Sequence, residues 1–267
     1  MSNDALGARM KENYEHITRT FLPRRTYTII RLDGKAFHTY TRGLKRPFDA
    51  GLIEDMQLTT LWLCAQIEGT VFAYTQSDEI SLLLTDFGNK ETQAWFGGNI
   101  QKIASVSASI ATAEFNNLRN VRNSQLSYQE IEDIGTVHPF LAYFDSRVFT
   151  IPDPTEVENY FIWRQADATR NSIQMAAQSV YSHKQLHGKD WSDLNEMLYQ
   201  KGINFNDYSS HEKRGTLVVK EYFEAPAFDQ KKNEHITVNR SRWTNVLETP
   251  IFKGHERPLR QMIPRYT

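Results

Sequence analysis

The chain is most constrained between positions 70 and 84, where two apolar runs, Thr70 to Tyr74 and Ile80 to Leu84, flank Thr75-Gln76-Ser77-Asp78-Glu79. Each run is too short for a helix and rich in residues that favour strands (Val71, Phe72, Tyr74, Ile80), which predicts two buried strands joined by a tight hairpin. The turn carries no Asn-Gly or Asp-Gly pair. Adjacent Asp78 and Glu79, at the mouth of strands this apolar, need something positive nearby, a basic side chain or a metal ion.

With 267 residues, 40% of them hydrophobic and 12% aromatic, the chain can bury a substantial core in one large domain or two closely joined ones. A net charge of -1 gives a polyanion no global attraction, so such a partner must be met by a local basic surface. The single cysteine, Cys64, excludes an intramolecular disulfide and a cysteine-based zinc site, and its apolar helical setting predicts a buried structural thiol. Met1-Ser2-Asn3-Asp4-Ala5 shows no basic-then-apolar leader and no segment approaches membrane-spanning length; the expectation is a soluble cytoplasmic protein with no membrane partner.

Met10, Tyr14 and Ile17 predict a short amphipathic helix within residues 8–20. Thr26 to Leu32 reads as a strand that stops at the turn pair Asp33-Gly34. Pro47 and Asp49 start a helix whose packing face is Ile53, Met56, Thr60, Leu63 and Ile67, and Gly69 ends it before the hairpin. A second long helix is written by Phe96, Ile100, Ile103, Val106, Ile110 and Ala113, with Ser105, Ser107, Ala108 and Ala111 allowing close approach to a sheet. Residues 116–139 are polar and Asn-rich and read as a long loop. Tyr143 to Ile151 adds a strand, closing the order βαββαβ.

The expected fold class is therefore α+β, a polymerase-palm-like, ferredoxin-like antiparallel sheet with helices on one face and a C-terminal helical and hairpin extension. The palm core is expected at 1–152 and the C-terminal part, packed on it, at 153–267. Helices at Glu156 to Tyr181 and Ser192 to Gln200 precede a hairpin of Leu217 to Phe223 and His235 to Val238, joined by a charged, mobile loop. The tail 239–267 holds Arg240, Arg242, Lys253, Arg257, Arg260 and Arg265 against Glu248 and Glu256.

In this topology Asp33 and Asp78 can lie side by side. Mg²⁺ prefers one or two carboxylates, a backbone carbonyl and waters, and leaves its other positions to phosphate oxygens; Asp33, the Gly34 carbonyl and Asp78 supply that set. Two such ions on the order of 3.5 to 4 Å apart serve phosphoryl transfer by activating the attacking oxygen and steadying the leaving one. Gly34-Lys35-Ala36-Phe37-His38 would offer consecutive N–H groups and one lysine to a triphosphate. Glu79 is either a supporting partner of the metal site or a cap on a Lys or Arg. Alone, Asp33-Gly34 is a turn, Asp78-Glu79 a solvated corner and His38 a structural histidine; the pairing of strand-end acids in a palm carries the metal reading. Arg24, Arg25, Arg31, Lys45, Arg46, Lys102, Lys213 and Arg214 are candidates for phosphate contacts.

Arg31-Leu32-Asp33-Gly34-Lys35-Ala36-Phe37-His38, Arg46-Pro47-Phe48-Asp49, Tyr74-Thr75-Gln76-Ser77-Asp78-Glu79, Phe144-Asp145-Ser146-Arg147-Val148 and Trp163-Arg164-Gln165-Ala166-Asp167 follow one another in the order of the tRNA-His guanylyltransferase family, which this chain resembles over roughly residues 8–220. The resemblance implies a palm, assembly as a homotetramer, and addition of nucleotides to the 5′ end of tRNA in the 3′-to-5′ direction. It implies that Asp33, Gly34 and Asp78 hold two Mg²⁺ and that residues 34–38 and Ser77 cradle the nucleoside triphosphate. Arg46 and Lys102 fall at phosphate-binding positions. ATP would adenylylate the 5′-monophosphate before the 3′-hydroxyl of GTP or another NTP attacks and expels AMP.

Where the eukaryotic enzymes carry His-Ile-Asn-Asn-Leu-Tyr-Asn after Arg164-Gln165-Ala166-Asp167, this chain has Thr169-Arg170-Asn171-Ser172-Ile173-Gln174-Met175. Gly97-Gly98-Asn99-Ile100-Gln101 replaces a basic cluster ahead of Lys102. Both features resemble the bacterial and archaeal guanylyltransferase-like subgroup, which implies template-dependent repair of 5′-truncated tRNA. The alternatives are a dedicated tRNA-His guanylyltransferase, a non-catalytic RNA-binding palm and, more weakly, a palm-type nucleotide cyclase.

Overall fold

The computed structural model describes residues 4–124 and 141–265. Helix α1 (Ala5–Met10) precedes strand β1 (Tyr27–Gly34), the short helix α2 (Phe37–Tyr40) and the long helix α3 (Ala50–Gln66). Strands β2 (Thr70–Gln76) and β3 (Glu79–Leu84) form the hairpin, and helix α4 (Ile100–Ser124) leads to strand β4 (Phe144–Ile151). These four strands lie in the order β4-β1-β3-β2, each antiparallel to its neighbours, which is the expected βαββαβ palm. All six residues of β3 are buried, the polar Glu79 and Ser81 among them, so this central strand is covered on both faces.

Beyond the palm come α5 (Pro154–Gln178), α6 (Trp191–Gln200), α7 (Ser210–Arg214), strands β5 (Thr216–Asp229) and β6 (Glu234–Val246), and α8 (Pro258–Met262). Strand β5 pairs with β2 over Thr216 to Val219 and with β6 almost throughout, so residues on both sides of position 152 build one six-stranded sheet. The hairpin is longer than expected, and only residues 230–233 connect its strands. Ala225 and Ala227 oppose Val238 and Ile236, a period-two pattern obscured in sequence by the small alanines, by Pro226 and by the charged stretch 229–234 at the tip. Pro226 is tolerated because β5 there has a neighbour on one side only.

Alternation along β1 divides the core. Ile30 and Leu32 pack with Met56, Leu63 and Phe115 under α3 and α4, whereas Tyr27 and Ile29 pack with Val157 and Phe161 under α5. The palm helices thus share one face, and the C-terminal extension covers the other. The first residues near α1 form the expected amphipathic segment, but Met10, Tyr14 and Ile17 are all exposed.

Helix α4 begins at Ile100, after a tight turn that holds Phe96, and continues to Ser124, into the stretch read as a loop from 116. Its polar second half is helical because Arg119 and Arg122 reach Asp55 on α3 at 2.9 and 2.7 Å. Residues 125–139 of that predicted loop lie outside the described residues. Asp55 is 1% exposed, and removing one member of such a buried pair leaves an uncompensated charge. Asp55→Ala is therefore expected to cost about 3–5 kcal/mol in equilibrium urea unfolding, whereas Glu54→Ala, on the exposed partner of Arg122, is expected to stay within about 0.5 kcal/mol. Equal small losses would contradict the assignment of Asp55 as the clamp.

Candidate active site

Pairing of β1 with β3 sets Asp33 opposite Glu79, and the Gly34 N–H donates to the Asp78 carbonyl at 3.0 Å. Gln76 pairs with Glu79, so Ser77 and Asp78 alone make the turn. Ser77 has φ 50°, which is how the hairpin closes without a glycine. Ala36, three residues after Asp33, is also left-handed at φ 55°. Each such residue costs about 1–2 kcal/mol, and both flank the acid pair, where strain of this kind concentrates.

Gly34 is not a turn residue: β1 runs through it, paired to Phe144. A Cβ there would stand 2.2 Å from the Phe37 ring, so glycine is required by close packing. Phe37 is 5% exposed and wedges between Tyr40, Phe115 and Phe144, with centroids 5.0, 5.7 and 5.3 Å away. The ring anchors the segment from below, and what it offers a ligand is backbone.

The three acids have different electrostatic surroundings. Glu79 is buried and accepts from Arg164 Nε and Nη2 at 2.7 and 2.6 Å, with Arg31 Nη2 at 2.7 Å. Of the two readings open for Glu79, the geometry is that of a carboxylate held by arginines. Asp33 meets the half-exposed Arg147 at 3.5 Å, which also approaches Asp145 at 3.4 Å. Asp78 pairs with no basic side chain among the described residues. Burial, reinforced by the Asp33 charge, pushes its carboxyl up to about 6.

A carboxylate withdrawn from water, without a basic partner and beside a second carboxylate, fits a divalent cation. Asp33, the Gly34 carbonyl and Asp78 would hold it. Among the described residues no three His, Cys, Asp or Glu side chains converge, so the donor set suits an open Mg²⁺ site completed by waters and phosphate oxygens.

These acids open into a cavity of about 560 Å³. One wall is formed by Ala36, His38, Arg46 and Asp49, the other by the C-terminal half of α5, with Asn171, Ser172 and Met175. Asp49 fixes the first wall by accepting from Leu52 N at 2.8 Å, capping α3, and from Lys45 N at 3.2 Å.

Of the residues singled out in the sequence as candidate ligands, Asp33, Gly34, Ala36, Phe37, His38, Lys45, Arg46, Ser77 and Asp78 line this cavity. Lys35 and Lys102 do not; Lys102 Nζ lies over the Phe96 ring, 5.9 Å from its centroid. The N–H groups of Gly34 and Lys35 already donate to Asp78 and Tyr143 carbonyls, so the backbone cradle shortens to residues 36–38. Arg24 Nε donates to Asp86, the Arg25 backbone N–H donates to the same carboxylate while its Nη2 donates to the Asn89 carbonyl, Lys213 Nζ donates to the Asn206 carbonyl, and Arg214 Nη2 to Ser210 Oγ. They serve the fold.

Sequence reasoning assigned no role to Arg147, Arg164, Asn171 or Met175. Arg147 stands two residues from Asp145 on β4, and hence on the face of Asp33, a relation legible only once the register is known. Asn171 and Met175 are an i, i+4 pair on α5.

The folded protein holds a proton on Asp78 at a higher pH than the unfolded chain does, so its contribution lowers stability as pH rises from about 4 through 6. In EDTA at pH 8, Asp78→Asn is expected to melt above the wild type, and the gap is expected to close by pH 5. Thermal melts across that range check it, and an Asn variant no more stable than the wild type at pH 8 would contradict the uncompensated charge.

The family model described as tRNAHis guanylyltransferase matches residues 7–152. The chain is 41% identical to a bacterial tRNA(His) guanylyltransferase-like protein solved in complex with ATP, over 97% of this chain and 99% of that one, with a TM-score of 0.80. A structure of such a protein with GTP gives 40% identity and a TM-score of 0.75 at the same coverage. The tRNA(His) guanylyltransferase of Debaryomyces hansenii is 28% identical over 250 residues, 87% of this chain and 89% of the relative. Motifs, palm topology and full-length similarity converge: the chain belongs to the tRNA-His guanylyltransferase family and is a nucleotidyltransferase.

Proposed function

We propose that this nucleotidyltransferase extends the 5′ end of tRNA in the 3′-to-5′ direction, choosing each nucleotide by Watson–Crick pairing with the opposite strand, and so repairs 5′-truncated tRNA. The observation that carries this reading is the α5 wall of the cavity. Aligned run to run with the eukaryotic His-Ile-Asn-Asn-Leu-Tyr-Asn, two amide positions are replaced by Ser172 and Met175, both of which line the cavity. A wall with fewer fixed hydrogen-bonding groups discriminates less among bases and leaves the choice to pairing. The higher identity to the bacterial protein than to the yeast enzyme supports the same reading.

Asp33, Asp78 and the Gly34 carbonyl would hold two Mg²⁺, which would neutralise phosphate charge and favour ionisation of the attacking hydroxyl. The N–H groups of residues 36–38, with His38, Ser77 and Arg46, hold the triphosphate; Lys35 and Lys102, outside the cavity, remain for RNA phosphates. An oxygen of the 5′-monophosphate first bonds to the α-phosphorus of ATP, and the bond to pyrophosphate breaks. The 3′-oxygen of GTP or another NTP then bonds to the phosphorus of that 5′-phosphate, its proton leaves, and the bond to AMP breaks.

The proposed setting is the cytoplasm and the proposed assembly a homotetramer. The apolar residues Leu6, Met10, Tyr14 and Ile17, between 42% and 71% exposed in one chain, support assembly. The second reading, a dedicated tRNA-His guanylyltransferase, is favoured by the names of the curated relatives.

Labelled nucleotides supplied to tRNA lacking its first residue, with C, A, G or U opposite in turn, separate the two. Addition of the complement in each case is expected, and guanosine regardless of the opposing base would overturn the repair reading. Asp33→Asn and Asp78→Asn are each expected to lower the rate by about a hundred- to a thousandfold.

A further inference from the structure

Trp163 is 50% exposed, yet its ring is pinned. The Arg164 guanidinium lies 4.4 Å from the ring centroid, and the Tyr160 ring meets it edge-on at 5.9 Å. Tyr160 is itself fixed by Phe149 at 5.7 Å and by a hydrogen bond of 2.9 Å with Ser81. The guanidinium that covers one side of the indole is the one that binds Glu79, and Glu79 sits opposite Asp33. An aromatic ring is thereby held beside the strand ends that carry the acids.

The ring is not part of the nucleotide cavity, whose α5 wall begins further along the helix, at Ala168. Whatever stacks on it is therefore a group other than the triphosphate's own base. Arg147, 55% exposed, lies on β4 two residues from Phe149, the ring that packs on Tyr160, and Arg170, 64% exposed, lies two helical turns along α5 from Trp163. Both have carboxylate partners, Asp145 and Asp167, so the area is charge-balanced and its distinctive property is the aromatic face. An enzyme that takes sequence from pairing needs a base-tolerant grip on the RNA end, and base–aromatic stacking is tolerant because every base has a π-face.

We infer that Trp163 is the stacking platform for the 5′-terminal nucleobase of the RNA brought to Asp33 and Asp78. This rests on the proposed action at an RNA 5′ end. Trp163 is a binding and positioning residue, and its effect belongs in KM for RNA rather than in KM for nucleotide.

The test uses an acceptor-stem hairpin bearing a 5′-monophosphate, with either a normal base or an abasic ribose at the 5′-terminal residue, and compares wild type with Trp163→Ala and Trp163→Phe. On the normal RNA, Trp163→Ala is expected to raise KM for RNA by roughly 5- to 100-fold, the range of single-base stacking, with KM for GTP changed less than about twofold. Trp163→Phe is expected to recover most of the loss. On the abasic RNA the difference between wild type and Trp163→Ala is expected to vanish. Trp163→Leu, which keeps apolar bulk beneath Arg164 without an aromatic face, should reproduce the pattern if the alanine variant melts early. An equal loss on abasic RNA, or a rise in KM for GTP in its place, would overturn the inference. Wild type that adds nucleotide to neither RNA would instead remove the RNA-end reading on which it rests.

Discussion

Glu79 and Asp78 are neighbours in sequence, and the boundary between the turn, which ends at Asp78, and β3, which begins at Glu79, places them in opposite electrostatic conditions. Glu79 turns toward α5, where Arg31 and Arg164 hold it from two strands' depth of protein at 2.7 and 2.6 Å. That ion triad joins β1, β3 and α5 below the mouth of the site. With two guanidiniums on one carboxylate, Asp78 is left to carry its charge without a basic partner. The acid pair is thereby available to a cation and phosphates instead of being closed by an internal salt bridge.

The rest of the fold maintains that asymmetry. Register between β1 and β3 brings Asp33 to the hairpin, and the buried Phe37 ring, packed against a glycine that cannot grow a side chain, fixes the turn that follows. Left-handed Ser77 and Ala36 store local strain on either side of the acids. The surrounding two-sided core, clamped between α3 and α4 by Asp55, is what over-determines these conformations.

Much of this was legible in the chain because the signals were local. The apolar run Ile80 to Leu84, interrupted only by Ser81, marks β3, Asp49 marks the start of α3, and Asp33 and Asp78 stand as strand-end acids in a βαββαβ order. What escaped depended on partners distant in sequence. The Asn-rich end of α4 reads as a loop in sequence because the partner of Arg119 that makes it helical, Asp55, lies 64 residues away. Glu79 stayed ambiguous because Arg164 lies 85 residues on. Arg24, Arg25 and Lys213 resembled phosphate ligands because charge alone does not disclose that each is tied to an internal carboxylate, carbonyl or amide. The far half of the β5–β6 ribbon was hidden by charged residues on a strand pair with little to bury.

The central claim is the division of labour between adjacent acids, Asp78 for the cation and Glu79 for the arginines. It is tested most directly by counting Mn²⁺ bound per chain by electron paramagnetic resonance, with GTP present, in the wild type and in Asp78→Asn. The account predicts that the wild type binds Mn²⁺ and that the Asn variant, still folded, loses that binding. Binding of Mn²⁺ by Asp78→Asn with wild-type affinity and number would contradict it.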